Sequence, residues 1–340
     1  MLNILKRNSI VIALCSSLLG LMVIGGLLYY NWLLAPVDRD GQAAVIVEVP
    51  NNSSSRDVSA ILEQQGLIKS AKAFTVYSRY KGLDSKIKTG EFQLNPGLST
   101  PEILQIIIKD SQIFHAFTVP EGYTVEQIAV LLQEKGYANK EEFLHLCQQG
   151  DFDYPFLRGQ VNTKYVLEGY LFPDTYKITR HNDEQDIIKM MLDRFVEESN
   201  RIQLEQKAEK LGLTVHQAVT IAGMIEREAM FDKERPLISG VIQNRLKMGM
   251  PLQIDATVLY ALGKHKKVVL YKDLEVDSLY NTYRVKTLPP GPIASPGSTS
   301  LEAAVAPHKT DYLYYLAKPD GTHVFSKTLD EHNRYKAKYL

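Results

Sequence analysis

No charged side chain occurs between Ile10 and Leu34. At ~1.5 Å per residue in a helix, a run of that length exceeds the ~30 Å hydrocarbon core of a bilayer. Lys6 and Arg7 precede the run, and Asp38, Arg39 and Asp40 follow it. Basic residues stay on the cytoplasmic side, so the expectation is one membrane-spanning helix at residues 10–34, a cytoplasmic tail at 1–9 and the bulk of the chain outside. The run is longer than the core of an ordinary signal peptide, and no clear small-x-small cleavage site follows it, so an uncleaved anchor is expected. Ile103 to Ile108 is apolar but far too short to span.

The remainder reads as ordinary globular sequence, with enough apolar material for a core. Lys plus Arg and Asp plus Glu balance at 39 each, so the chain lacks the basic surplus that nucleic-acid binding would call for. Its two cysteines, Cys15 and Cys147, are far apart and expected not to pair, and no Cys/His or HExxH spacing suggests a metal. No GxSxG motif or P-loop occurs. No metal or cofactor is expected.

Residues 35–43, polar and containing Pro36 and Gly41, read as a linker. A strand is expected over Ala44–Val49, then a helix from about Ser55 to Gln65 ended by Gly66. Val49, Pro50, Val58, Ile61, Leu62 and Gly66 recur 70 residues later as Val119, Pro120, Ile128, Leu131, Leu132 and Gly136. That offset predicts a duplicated strand–helix–helix unit. Between the copies, Gly90–Leu94 reads as a strand, and Ser99, Pro101 and Glu102 mark a helix start. Further on, a long helix is expected from about Thr214 to Met230, with Thr214 and Gln217 as a capping box. Leu288–Gly291 and Ala294–Gly297 read as rigid loops. Tyr312–Leu316 and His323–Phe325 read as a hairpin turned at Pro319-Asp-Gly321. The fold class expected is α+β: a small α/β module followed by a larger α+β domain.

On the long helix, Val219, Ala222, Gly223, Glu226 and Met230 share one stripe. A carboxyl above apolar neighbours is held protonated more readily, and Gly223 would leave room for a ligand, as a general acid needs. The competing reading is a structural Glu226 paired with Arg227 or Arg245, and Glu228 faces another side and fits the special role equally. Gln253, Asp255 and Thr257 would share a face on a strand or extended loop, where they suit either sugar hydroxyls or turn capping. Tyr280-Asn281-Thr282-Tyr283 combines aromatic faces with amides, as sugar sites do, and equally suits an aromatic core.

Five linked segments resemble the YceG-like endolytic murein transglycosylases: Glu168–Thr175; Ile225-Glu-Arg-Glu228; Asn244-Arg-Leu with Leu252–Thr257; Tyr280–Tyr283 with Leu288–Gly291 and Ala294–Gly297; and His323–Phe325 with His332-Asn333. Ile254 stands where the family usually carries a smaller polar residue. The resemblance implies a LysM-like module at 44–115 and a YceG-like catalytic domain at 116–340. It implies cleavage within peptidoglycan glycan strands between N-acetylmuramic acid and N-acetylglucosamine, leaving a 1,6-anhydro end and terminating nascent strands. It puts the catalytic glutamate at Glu226 and suggests substrate contacts from Gln253, Asp255, Thr257, Tyr280, Asn281 and Glu168. The implied partners are glycan strands and peptidoglycan synthases, and the implied location is the cell membrane with the catalytic domain outside. Two rival functions remain: a hydrolytic muramidase that needs a second carboxylate such as Asp255, and a glycan-binding scaffold without catalysis.

Overall fold

The structure is a computed structural model that describes residues 2–109, 113–263 and 269–339; within the first helix it describes the side chains of Leu14 and residues 16–34. Cys15, Lys6 and Arg7 therefore lie outside the described side chains, and Cys147 is a buried free thiol. The chain is a mixture of helices and small two-stranded sheets and divides into two compact units. One comprises Met1–His115 with Lys177–His181, the other Ala116–Tyr176 with Asn182–Leu340.

The first unit opens with helix α1 (Leu2–Leu34), in which Ser16–Leu34 is long and apolar enough to cross a membrane. Strand β1 (Val45–Val49), helices α2 (Ser55–Gln64) and α3 (Ala71–Tyr80), strand β2 (Gly90–Leu94) and helix α4 (Thr100–Ile108) follow. β1 and β2 pair antiparallel, with Val47 opposite Phe92. Alternation puts Val47, Val49, Phe92 and Leu94 on the inner face, where Val58, Leu62, Phe74, Ile103, Leu104 and Ile107 close the core. The expected linker is tied down. The Asp38 N–H donates to the Pro96 carbonyl at 3.1 Å and the Gly97 N–H to the Gly41 carbonyl at 2.9 Å. Lys69 lies 4.6 Å from the Trp32 ring and reaches the Trp32 carbonyl, joining α1 to this unit.

The second unit contains strand β3 (His115–Thr118, from Ala116 on), helices α5 (Val125–Glu134) and α6 (Lys140–Gln149), and strand β4 (Thr175–Ile178, up to Tyr176). Helices α2 and α5 start at the same 70-residue offset and share a device. Ser54 with Asp57, and Thr124 with Gln127, form capping boxes that satisfy the first free N–H groups. Gly66 and Gly136 follow their helices in the left-handed conformation, at φ 70° and 69°.

The rest of the unit is helical: α7 (Glu184–Ile202), α8 (Leu204–Lys210), α9 (Val215–Glu228), α10 (Arg235–Lys247), α11 (Asp255–Leu262) and α12 (Ser298–Val305). Hairpin β5 (Tyr314–Ala317) and β6 (His323–Ser326) and helix α13 (Leu329–Tyr339) complete it. Helix α9 carries the capping box expected from sequence: the Gln217 N–H donates to Thr214 Oγ1 and the Thr214 N–H to Gln217 Oε1. Ala218 through Ile225 are all buried, and α8, α10 and α12 pack around them. α9 is therefore the central helix of the unit, and its last turn carries both Glu226 and Glu228.

Candidate functional site

Residues two apart on a helix point to nearly opposite sides. Glu226 and Glu228 follow that rule into different surroundings. Glu226 faces α10 and α12. Arg235 Nη1 lies 3.1 Å from its Oε2, Arg235 Nη2 lies 3.3 Å from Oε1, and the Gly297 N–H donates to Oε2 at 3.0 Å. Both side chains of this ion pair are buried, and Arg235 also bonds Asp232 and Ser300. The partner is neither Arg227 nor Arg245 but a residue on the following helix. Met230, expected on the same stripe, lies beyond the end of α9 and is exposed. Gly223 does not leave room for a ligand. A side chain there would press on the backbone of Ile293 and Ala294, so the glycine admits the proline-rich loop against the helix. Glu121 lies near the pair, and burial, followed by the charge of Glu226, raises its pKa.

Glu228, the last residue of α9, has a different setting. Burial of its carboxyl pushes its pKa up to about 7, Asp255 adds to the rise, and a hydrogen bond from Tyr315 with the nearby Arg227 partly offsets it. The negative end of the α9 dipole also disfavours a second negative charge there. Around it stand Tyr315 from β5, Tyr283 and Asp255. Tyr283 Oη donates to Asp255 Oδ1 at 2.5 Å. Asp255 is the first residue of α11, where unpaired N–H groups favour a negative charge.

The loop before α11 is fixed from beneath by Arg245. Its guanidinium donates to the carbonyls of Pro251 and Leu252 and to Gln253 Oε1, and Nε donates to the Leu313 carbonyl. Asn244 holds the Thr310 and Tyr312 carbonyls. The Asn-Arg pair thus connects the loop before α11 to the strand that delivers Tyr315. Gln253 takes a left-handed backbone at φ 53°, and its N–H bonds the Thr282 carbonyl. A non-glycine residue held there costs roughly 1–3 kcal/mol. At the far end of the hairpin, Glu234 accepts the His323 N–H and its Nδ1 at 2.8 Å.

The residues expected from sequence to contact substrate divide into two groups. Gln253 and Asp255 are exposed and adjoin the Glu228 surroundings. Thr257 is not on a face shared with them, because residues 255–262 are helical. It is fully buried, with Oγ1 bonded to the Ile254 carbonyl and to Thr282. Asn281 is fully buried and spends its amide on the Leu274 and Val276 carbonyls. Tyr280 is buried against the Tyr260 ring, with centroids 4.9 Å apart. Glu168 is buried, accepting the Val125 N–H and the Tyr260 hydroxyl, and burial raises its pKa to about 7. These four are buried and hold the start of α5 and the loop 280–283 through internal hydrogen bonds and ring packing.

Tyr283, Tyr315 and Arg245 are the site residues that sequence reasoning did not assign. Tyr283 lies inside the Tyr-Asn-Thr-Tyr motif, and Tyr315 lies in the expected hairpin strand. Among the described residues no group of His, Cys, Asp or Glu side chains has the arrangement of a metal site.

The model of the YceG-like family matches residues 47–338, which takes in every residue of this site. The chain belongs to the YceG-like family. It is 42% identical to an endolytic murein transglycosylase of Bacillus subtilis over 94% of its own length and 91% of that protein. It is 31% identical to an endolytic murein transglycosylase of Streptococcus pneumoniae, covering 95% of this chain and 64% of that longer relative. A YceG-like protein from Listeria monocytogenes, solved by crystallography, superposes with a TM-score of 0.60 at 37% identity, over 86% of this chain and 99% of that one.

Proposed function

We propose that this protein is an endolytic lytic transglycosylase of peptidoglycan and that Glu228 is its acid and then its base. The observation that carries the assignment is the setting of Glu228: a carboxyl whose pKa is pushed up to about 7 by burial, hydrogen-bonded by Tyr315 and standing beside Asp255. A general acid works best with a pKa near the working pH. Glu226, the residue that the family resemblance singles out, has both oxygens committed to Arg235 and the Gly297 N–H. Its role in this reading is to fix the end of α9.

In the reaction Glu228 donates its proton to the glycosidic oxygen leaving the N-acetylmuramic acid. The 6-hydroxyl of that sugar attacks its own anomeric carbon. Glu228, now a carboxylate, takes the proton from the hydroxyl, and a 1,6-anhydro ring closes. Because the substrate supplies the nucleophile, one catalytic carboxyl suffices where a hydrolase needs two. Asp255 opposes the positive charge of the oxocarbenium-like centre, and Gln253 contacts the sugar.

A second reading, hydrolysis with Asp255 as the base, is favoured by its closeness to Glu228. Mass spectrometry of digested peptidoglycan separates the two. Anhydro termini are expected, and termini that are all reducing would overturn the lytic reading. Full cleavage by Glu228→Gln would overturn the assignment of the acid, and a wild type without cleavage would leave only a glycan-binding scaffold.

Residues 44–115 act in this reading as a LysM-like glycan-binding module and 116–340 as the catalytic domain. The strand–helix–helix–strand order of β1, α2, α3 and β2 and their antiparallel ladder support the former. Helix α1 serves as a single-pass anchor with a cytoplasmic N-terminus, so the enzyme meets nascent strands near the synthases that extrude them.

A further inference from the structure

A glycoside hydrolase needs a second carboxylate near its general acid, and Asp255 is an exposed carboxylate whose charge reaches Glu228. A strictly lytic enzyme therefore has to keep Asp255 from activating water. Tyr283 engages that carboxylate directly. Its hydroxyl donates to Asp255 Oδ1 at 2.5 Å, the length of a strong charge-assisted bond. The ring is half-buried on the Tyr-Asn-Thr-Tyr loop. That loop is rigid: the Tyr283 N–H bonds Asn281 Oδ1, and Asn281 is in turn clamped to two carbonyls. Burial and the Asp255 charge both raise the pKa of the phenol, so it keeps the proton it donates.

We propose that Tyr283 is a specificity-determining positioning residue: by occupying Asp255 it withholds the general base that water would need, and so keeps the reaction lytic. The inference rests on the reading of Glu228 as the acid. Without the hydroxyl, Asp255 would take a proton from a water attacking the anomeric carbon while Glu228 protonates the leaving oxygen. The glycosidic C–O bond breaks, a C–O bond to water forms, and the product is a reducing end. Nothing is oxidised or reduced.

The test is digestion of peptidoglycan by the full-length protein in ¹⁸O-water, counting anhydro termini and ¹⁸O-labelled reducing termini by mass spectrometry. Tyr283→Phe is expected to raise the labelled fraction at least about tenfold, a conservative share of the roughly 10²–10⁴ that a positioned base supplies. The double variant Tyr283→Phe/Asp255→Asn is expected to bring it back to the wild-type level. An unchanged product ratio overturns the proposal, and so does a rise that survives in the double variant. Tyr283→Leu, which also lacks the hydroxyl, gives the same readout if the Phe variant fails to fold by circular dichroism. A wild type producing only reducing ends defeats the lytic reading itself. A lytic wild type with a Tyr283→Phe variant of unchanged ratio defeats only the role of Tyr283.

Discussion

Glu226 and Glu228 are two residues apart on one helix, yet one is locked to Arg235 while the other is hydrogen-bonded by Tyr315. Their replacements should therefore differ in kind. Glu228→Gln should reduce glycan cleavage by roughly 10²–10⁴, the range for loss of a general acid, with little change in stability. Glu226→Ala leaves a buried guanidinium without its main partner and should cost roughly 3–5 kcal/mol of stability. Thermal unfolding alongside product release from peptidoglycan checks both. Cleavage surviving in Glu228→Gln and abolished in a well-folded Glu226→Gln would reverse the assignment.

The pH dependence of cleavage follows from the same site. An acid must be protonated to act, so activity should fall as pH rises through about 7. The Tyr315 hydrogen bond favours the ionised form of Glu228. Tyr315→Phe removes it and should move the descending limb to higher pH, together with a lower maximum rate. A limb that stays in place would show that Tyr315 does not touch the titrating group.

Glu168 offers a prediction about stability alone. Its carboxyl is buried, with a pKa of about 7 against an ordinary 4.5. Between those values the folded state holds a proton that the unfolded state has released, so stability falls as pH rises through this window. Glu168→Gln keeps the shape and the bond from Val125 but cannot ionise. The variant should show a flatter melting temperature between about pH 4.5 and 7, measured by calorimetry, and equal slopes for the two proteins would contradict it.

Gly169 lies beside Glu168 at φ 83°, with Pro292 Cβ only 2.5 Å from where a side chain would begin. The left-handed backbone costs a non-glycine residue roughly 1–2 kcal/mol, and the overlap with Pro292 roughly 1–3 more. Gly169→Ala should be destabilised by about 3 kcal/mol in denaturant unfolding, and a loss below 1 kcal/mol would mean that the proline loop yields freely.

What could be read from the sequence was what is decided locally. The capping box at Thr214 and Gln217, the stop at Gly66 and the turn at Pro319-Asp-Gly321 each involve residues a few positions apart, and each occurs as expected. Contacts across the chain were not legible. Nothing near Glu226 in sequence marks Arg235 over Arg227 or Arg245, and only the folded hairpin brings Tyr315 to Glu228. Thr257 does not share a face with Gln253 and Asp255, because a period of two fails where a helix begins at Asp255. Asn281 and Tyr280 look alike in a sugar site and in a core, and only the folded structure shows that both are buried.

The short stretch after α1 has a mechanical consequence. Ten extended residues would give a leash of about 35 Å. Here the stretch is stitched to the turn at Pro96 and Gly97, and Lys69 caps the end of α1 at Trp32. With α1 in a bilayer, the first unit has almost no slack and stands at the membrane surface like a fixture on a short post.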